Sequence, residues 1–176
     1  MEEIAQAIIS HPNLEIMELV RSHTPSTANY EISHLQTFLT EACRGDWGDD
    51  GSHARNIDET LPLIHCLLDN GAEPREGSWR GCGALYAALE FSWPLEIIDK
   101  MVQKGGEVNL LIFLEAVIMR WVDALLLFFD KAMFDISIEK MLDIAQESED
   151  KEIMSVVNAG VAKLKQQQPK WWQFWR

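Results

Sequence analysis

The amino-acid sequence predicts an all-α fold built from repeated helical hairpins, and three observations support this prediction. Apolar residues recur at helical spacing along most of the 176 residues. The apolar pattern of LEIIDKMVQKGGEVN, which starts at Leu95, occurs five times along the chain. Each copy follows another stretch of helical periodicity, so the repeating unit contains two helices. Neighbouring hairpins of this kind bury their apolar faces against each other and form a continuous core.

The second helix of the hairpin at Leu95 carries apolar residues at offsets 0, 2, 3, 6 and 7 from its first residue, and the other copies share this stripe with some loss of match in the last. In the copy that begins at Leu95 this stripe is closed by Gly105, and glycine readily adopts the left-handed conformation that ends many helices. The five copies are separated by 47, 34, 27 and 29 residues, and they begin at Leu14, Leu61, Leu95, Val122 and Lys151.

The first helix of each hairpin is predicted over residues 2–10, 32–44, 84–91, 111–120 and 138–147. The widest separation between copies has a local cause, the segment GDWGDDGSHARN at residues 45–56. Its glycines and acidic residues break the helical periodicity, so we predict an insertion loop. Long loops often carry function, and this one is either a binding loop or a solvated acidic loop.

One segment is similar to a known family. GALYAALEFSWPLEIIDKMVQKGGEVN, residues 83–109, resembles the ankyrin-repeat pattern TPLHxAAxxGHxEIVxxLLxxGADVN with one residue inserted, and LLDNGAEP at 67–74 resembles the end of a second repeat. The shorter separations leave no room for full β-hairpin fingers. The resemblance therefore implies an ankyrin-like solenoid of about five helical hairpins with reduced β-hairpin fingers over residues 1–165. An irregular helical domain is the alternative.

Charge and composition restrict the possible partners. The chain has 28 acidic and 15 basic residues, a formal net charge of −13, which repels a phosphate backbone and argues against nucleic-acid binding. No apolar run reaches the roughly 18 residues that span a bilayer, and the first residues are acidic, so we expect a soluble cytoplasmic protein without a transmembrane segment. Cys43, Cys66 and Cys82 lack the paired spacing of metal or redox motifs, so no metal or cofactor is predicted.

The resemblance also predicts where a partner would bind. In ankyrin-like proteins the concave face is formed by the fingers and the first helices of the repeats. Trp, Tyr and Arg are enriched at binding hot spots, because they combine a large contact area with a polar group. The candidate residues on this face are Trp79, Arg80, Tyr86, Glu90, Trp93, Glu115, Arg120 and Trp121. The alternative is that several of these Trp side chains fill the core between repeats.

Residues 166–176 form a separate aromatic and basic tail. In KQQQPKWWQFWR, Pro169 ends helical periodicity, and Trp171, Trp172 and Trp175 follow within a few residues. Such a cluster can fold back onto the last hairpin as a cap, dock into a partner, or lie at a membrane interface. Folding back is the first of these expectations, because the last repeat matches the pattern poorly and needs cover.

The predicted function is binding of another protein through the concave face and, in one alternative, through the Trp-rich tail. No phosphate-binding, dinucleotide-binding or metalloprotease motif occurs in the sequence, and no catalytic residue is predicted. A second hypothesis is a cofactor-independent enzyme or binding protein that acts on a small hydrophobic molecule in a pocket of the array. Departures from the repeat pattern at Trp93, Arg120 and Trp121 are the feature that favours it.

Overall fold

A computed structural model describes Met17 and residues 31–32, 36–44, 57–75 and 83–167. This part of the chain is mostly helical, in agreement with the predicted all-α class. Within the described ranges, no helix has both the length and the apolar character needed to cross a bilayer. Three predicted segments lie outside the described residues: the first hairpin apart from Met17, the loop at 45–56 and the tail from residue 168.

The described ranges contain eight helices and four short strands. The helices are α1 (Phe38–Arg44), α2 (Ile57–Asp69), α3 (Gly83–Glu90), α4 (Leu95–Gln103), α5 (Leu110–Ile118), α6 (Val122–Lys131), α7 (Ile138–Glu147) and α8 (Lys151–Gln167). The strands are β1 (Glu31–Ile32), β2 (Gln36–Thr37), β3 (Glu107–Asn109) and β4 (Met133–Asp135). They form two two-stranded sheets, β1 with β2 and β3 with β4.

The chain divides into two compact units, Met1–Glu107 and Val108–Arg176. In the first unit, α1 packs against α2 and α3 packs against α4, which gives two helical hairpins. In addition, α1 packs on α3 and α2 packs on α4. First helices therefore lie next to first helices, and second helices next to second helices. The core between them is aliphatic and includes Leu39, Leu67, Leu85 and Ile98.

A polar contact also joins the second helices of the first unit. The Nζ of Lys100 on α4 lies 2.8 Å from a carboxylate oxygen of Asp69 and 3.1 Å from Nδ1 of His65, both on α2. The hydrogen bond from Lys100 holds the pKa of Asp69 below its usual value. This contact lies at a partly exposed edge of the helix pair, so it adds little to the stability that the aliphatic core provides.

The second unit repeats this arrangement with four other helices. The hairpins are α5 with α6 and α7 with α8, and α5 packs on α7 while α6 packs on α8. Aromatic side chains fill its core. The ring of Phe129 meets Phe113 edge-on at a centroid distance of 6.2 Å, and its centroid lies 5.3 Å from that of Phe134.

The turns inside three successive hairpins share one backbone feature. Ser92, Arg120 and Glu149 follow the first helix of their hairpins, and all three have positive φ of 53°, 53° and 55°. The amides of Ser92 and Trp93 donate to carbonyls in the last turn of α3 at 2.9 Å, which is the Schellman pattern. A residue with a side chain seldom adopts the left-handed region, so the three turns share an uncommon conformation.

The second helices end at glycines where the chain supplies them. Gly71 after α2 and Gly105 after α4 have φ of 93° and 95°, and for Gly105 this was predicted from the sequence. A three-residue strand, β3, follows α4, and α5 begins at the next residue. There Asn109 caps α5, since its Oδ1 accepts from the amides of Leu111 and Ile112, both at 3.0 Å.

One predicted helix is shorter than expected. The helix predicted over 32–44 begins only at Phe38, and the residues before it form β1 and β2, with Glu31 opposite Thr37 and Ile32 opposite Gln36. Ile32 and Thr37 are β-branched and favour strands, and antiparallel pairing satisfies the backbone without a helix. Apolar spacing over so short a segment did not distinguish the two structures.

Candidate functional site

The candidate site is an open groove of about 780 Å³ in the second compact unit, which we name the α5–α7 groove. It lies between the C-terminal halves of the two first helices and extends to the first turn of α8. The lining residues are Leu114, Val117, Ile118, Arg120, Ile144, Glu147, Ser148, Glu149, Asp150, Lys151 and Glu152.

The floor of the α5–α7 groove is apolar. Leu114, Val117 and Ile118 are three and four residues apart, which places them on one face of α5, and Ile144 faces them from α7. Ile118 is 63% exposed although it is a large aliphatic residue. Full burial of such a side chain contributes about 1.5–3 kcal/mol, so Ile118 is a favourable anchor for a molecule that covers it.

The rim of the groove is acidic. Glu147, Glu149, Asp150 and Glu152 supply four carboxylates, whereas Arg120 and Lys151 supply two positive charges. Because the four carboxylates outnumber the two cations, the rim has an excess of negative charge. Such a rim attracts a basic ligand and repels an acidic one.

Arg120 and Asp150 form the ion pair at the edge of the groove. Their closest nitrogen and oxygen atoms are 2.5 Å apart, and the Arg120 side chain remains 70% exposed, whereas that of Asp150 is 13% exposed. The carboxylate of Asp150 also accepts from the amides of Glu152 at 2.9 Å and Ile153 at 3.2 Å, which caps α8. The hydrogen bond from the Ile153 amide, together with those from Glu152 and the charge of Arg120, holds the pKa of Asp150 below its usual value.

We expect Asp150→Ala to lower the Tm at neutral pH more than Asp150→Asn does, because asparagine can still cap α8 while alanine cannot. The folded-state pKa of Asp150 lies below its unfolded value of 3.8, so the stabilisation by the charge is present above pH 3.8. It is lost as the pH falls through the folded-state pKa. Thermal unfolding followed by circular dichroism should therefore show the wild type and Asp150→Asn converging in acid. A gap between them that does not change with pH would contradict the role of the charge.

The structure places the predicted residues of the first unit mostly in its interior. Trp93 is 3% exposed, and its Nε1 donates to the backbone oxygen of Cys43 at 2.7 Å. Tyr86 is also buried. Glu90 is half-buried, and its Oε2 is not accessible to solvent. Among the described residues this oxygen has no hydrogen-bond partner. Trp93 is therefore a core residue, which is the alternative considered for the Trp side chains, and Tyr86 is buried as well.

In the second unit the predicted residues separate. Arg120 lies in the α5–α7 groove, whereas Glu115 and Trp121 are half-buried and do not line it. Trp79, Arg80, Trp171, Trp172 and Trp175 lie outside the described residues.

Sequence reasoning missed the apolar floor and the acidic segment 147–152. A signal for the floor was present, because LLIFLEAVI in α5 is apolar on nearly all sides, more than one buried face requires. Within the ranges that the structure describes, no group of His, Cys, Asp and Glu is arranged to hold a metal ion.

Comparison of the chain with protein-family models, with curated proteins and with solved structures gave no match. The functional interpretation therefore rests on the geometry and chemistry of the groove.

Proposed function

We propose that this protein is an ankyrin-like helical-repeat module that binds a partner protein through the α5–α7 groove. The observation that carries the proposal is the exposed apolar floor around Ile118 inside an acidic rim. The partner segment that fits it presents apolar side chains flanked by Lys or Arg. We expect this binding to take place in the cytoplasm, as the sequence predicts.

Three features support an ankyrin-like arrangement. Residues 83–109 resemble the repeat pattern, and they fold as the predicted pair of helices followed by a short strand. In each compact unit the first helices pack together and so do the second helices, as they do in stacked hairpins. The left-handed turn residue recurs at the same place in three successive hairpins. The groove lies between two first helices, and first helices are among the elements to which the resemblance assigns binding.

The shape of the groove supports a protein ligand over a small molecule. Sites for small molecules are usually concave enough to bury most of the ligand, whereas the α5–α7 groove is open to solvent along the helices. An open groove with a row of aliphatic side chains suits a helix or an extended segment whose side chains anchor at regular spacing. The acidic rim would speed association with a basic partner and make it sensitive to salt.

We expect Ile118→Lys to abolish capture of the partner in an affinity pull-down from source-cell lysate, quantified by mass spectrometry. The substitution removes the apolar anchor and adds a charge that repels a basic segment. Met133→Lys is the matched control, because Met133 is 57% exposed in β4, outside the groove lining. Both substituted residues are exposed, so both variants should keep the wild-type circular dichroism spectrum.

The proposal would fail if one protein were captured equally by the wild type and by Ile118→Lys. It would also fail if Met133→Lys abolished capture of the same proteins as Ile118→Lys does, since the loss of binding would then not be specific to the groove. The charge argument has its own test, panning of a random peptide library against the wild type with counter-selection on Ile118→Lys. Basic and apolar peptides should be enriched, and enrichment of acidic peptides would contradict the role of the rim.

A further inference from the structure

The apolar floor of the α5–α7 groove continues along α5 as a stripe of accessible aliphatic residues. Leu114 and Ile118 follow Leu111 by three and seven residues, which places all three on one face of the helix. Leu111 is 41% exposed and Ile118 is 63% exposed. A helix rises about 1.5 Å per residue, so the stripe is about 10 Å long, close to two helical turns.

The acidic side chains lie at one end of this stripe. Arg120, just after α5, is paired with Asp150, just before α8, and Asp150 belongs to the acidic segment 147–152 that ends α7. The C-terminal ends of α5 and α7 therefore meet at the same end of the groove. A ligand that follows the stripe from Leu111 to Ile118 contacts apolar surface along its length and meets negative charge at its end.

The helix α5 offers few backbone partners to a ligand. Its amides and carbonyls bond to each other within the helix, and carbonyls of its last turn accept from the turn that follows. The acceptors are the carbonyls of Glu115, Ala116 and Val117, and their donors are the amides of Met119, Trp121 and Arg120 at 2.9, 2.9 and 3.0 Å.

The facing helix α7 ends in the same way. The carbonyls of Ile144 and Gln146 accept from the amides of Ser148 and Glu149 at 3.1 and 3.2 Å. An extended peptide needs backbone partners wherever it is shielded from water, and a sheet edge supplies them. Two helices with internally paired backbones do not, so the ligand that fits this groove pairs its own backbone groups, as a helix does.

Two other occupants fit the groove less well. Proline-rich segments bind grooves lined by aromatic side chains, and none of the described residues that line the α5–α7 groove is aromatic. A second copy of the chain would bring a net charge of −13 to an acidic rim, and like charges facing each other across an interface oppose binding.

From the backbone pairing, the stripe and the charge we infer that the α5–α7 groove takes an amphipathic helix of a partner protein with basic residues at one end. Apolar side chains of this helix, spaced three or four residues apart, lie along Leu111, Leu114 and Ile118. Its Lys or Arg side chains meet the segment 147–152. This inference rests on the proposed function and names the class of ligand that the same groove binds.

Two phage-displayed peptide libraries test this inference on the full chain. Both contain random peptides of about 15 residues, roughly four helical turns. They differ only at two central positions, which are alanine in one library and proline in the other, so only the first library can form continuous helices. Selection on the wild type with counter-selection on Ile118→Lys retains the peptides that need the groove. We expect at least about tenfold more of these from the alanine library.

Proline substitution in the selected peptides identifies the bound conformation. Proline at the centre of a peptide should weaken its Kd at least about tenfold, because it breaks the helix. Proline at the first helical position is the matched control, since helices tolerate it there, and it should change the Kd less than about twofold.

Leu111→Lys tests the position of the bound helix along α5. It replaces an apolar contact at the far end of the stripe with a charge, so the selected peptides should bind at least about fivefold more weakly. Leu126→Lys is the matched control, because Leu126 is 51% exposed on α6 and does not line this groove. It should leave the Kd unchanged.

The outcomes distinguish this inference from the proposed function. Peptides that need the groove but come equally from both libraries, or that tolerate a central proline, would indicate an extended ligand. They would overturn the inference while the proposed function stands, as would unchanged binding to Leu111→Lys. If neither library gave peptides that need the groove, both would fail. If the wild type sedimented as a dimer and Ile118→Lys as a monomer, the groove would bind a second copy of the chain and the inference would be wrong.

Discussion

Gly160→Ala is expected to destabilise the protein by about 1–3 kcal/mol, the usual range for overpacking a core. A Cβ at residue 160 would overlap the ring of Phe129 on the facing helix α6. That ring is 4% exposed and contacts the rings of Phe113 and Phe134, which restrict its movement. Relief of the overlap requires the Phe129 ring or one of the two helices to shift.

The sign of this effect distinguishes packing from helix propensity. In an exposed helical position, replacing glycine by alanine stabilises by up to about 1 kcal/mol. At residue 160 the overlap exceeds this gain. Urea unfolding followed by circular dichroism gives the difference in free energy. Asn158→Ala is the matched control, because Asn158 is exposed in the same helix and its replacement should be neutral or slightly stabilising. A Gly160→Ala variant as stable as the wild type would show that α6 and α8 are not packed this closely.

The second large effect is expected at Trp93. Trp93→Ala should lower the free energy of unfolding by about 3–5 kcal/mol, because it removes a large buried side chain. Trp93→Phe should cost less, about 1–3 kcal/mol, since it keeps most of the apolar contact but removes the buried hydrogen bond from Nε1 to the carbonyl of Cys43. That carbonyl lies in the last turn of α1.

Trp121→Phe is the control for this prediction. Trp121 occupies the same position after the left-handed turn residue in the next hairpin, but it is only half-buried. Its replacement should therefore cost less than the replacement of Trp93. Denaturant unfolding of the three variants measures these differences. If Trp93→Phe weakened partner capture while leaving stability unchanged, Trp93 would be an interface residue, as the sequence analysis predicted.

Helix ends could be predicted from the sequence where a capping residue within a few positions sets them. The helix predicted over 138–147 has these bounds in the structure, because Ser137 provides a hydroxyl cap that accepts from the Lys140 amide at 3.2 Å. The end of α4 could also be predicted, because Gly105 occupies the position at which the backbone has positive φ. The ends of the first helices were harder, since Ser92, Arg120 and Glu149 adopt the same conformation without a glycine to indicate it.

The sequence by itself determined the helical class, the pairing of helices into hairpins and the ends of α4 and α7, because these depend on periodicity and on caps within a few residues. Only the tertiary structure decided that Trp93 reaches back 50 residues to Cys43, and that Ile118, Arg120 and Asp150 meet around one groove. Burial and contacts between distant segments depend on how the hairpins stack. The local sequence around a residue does not specify that stacking.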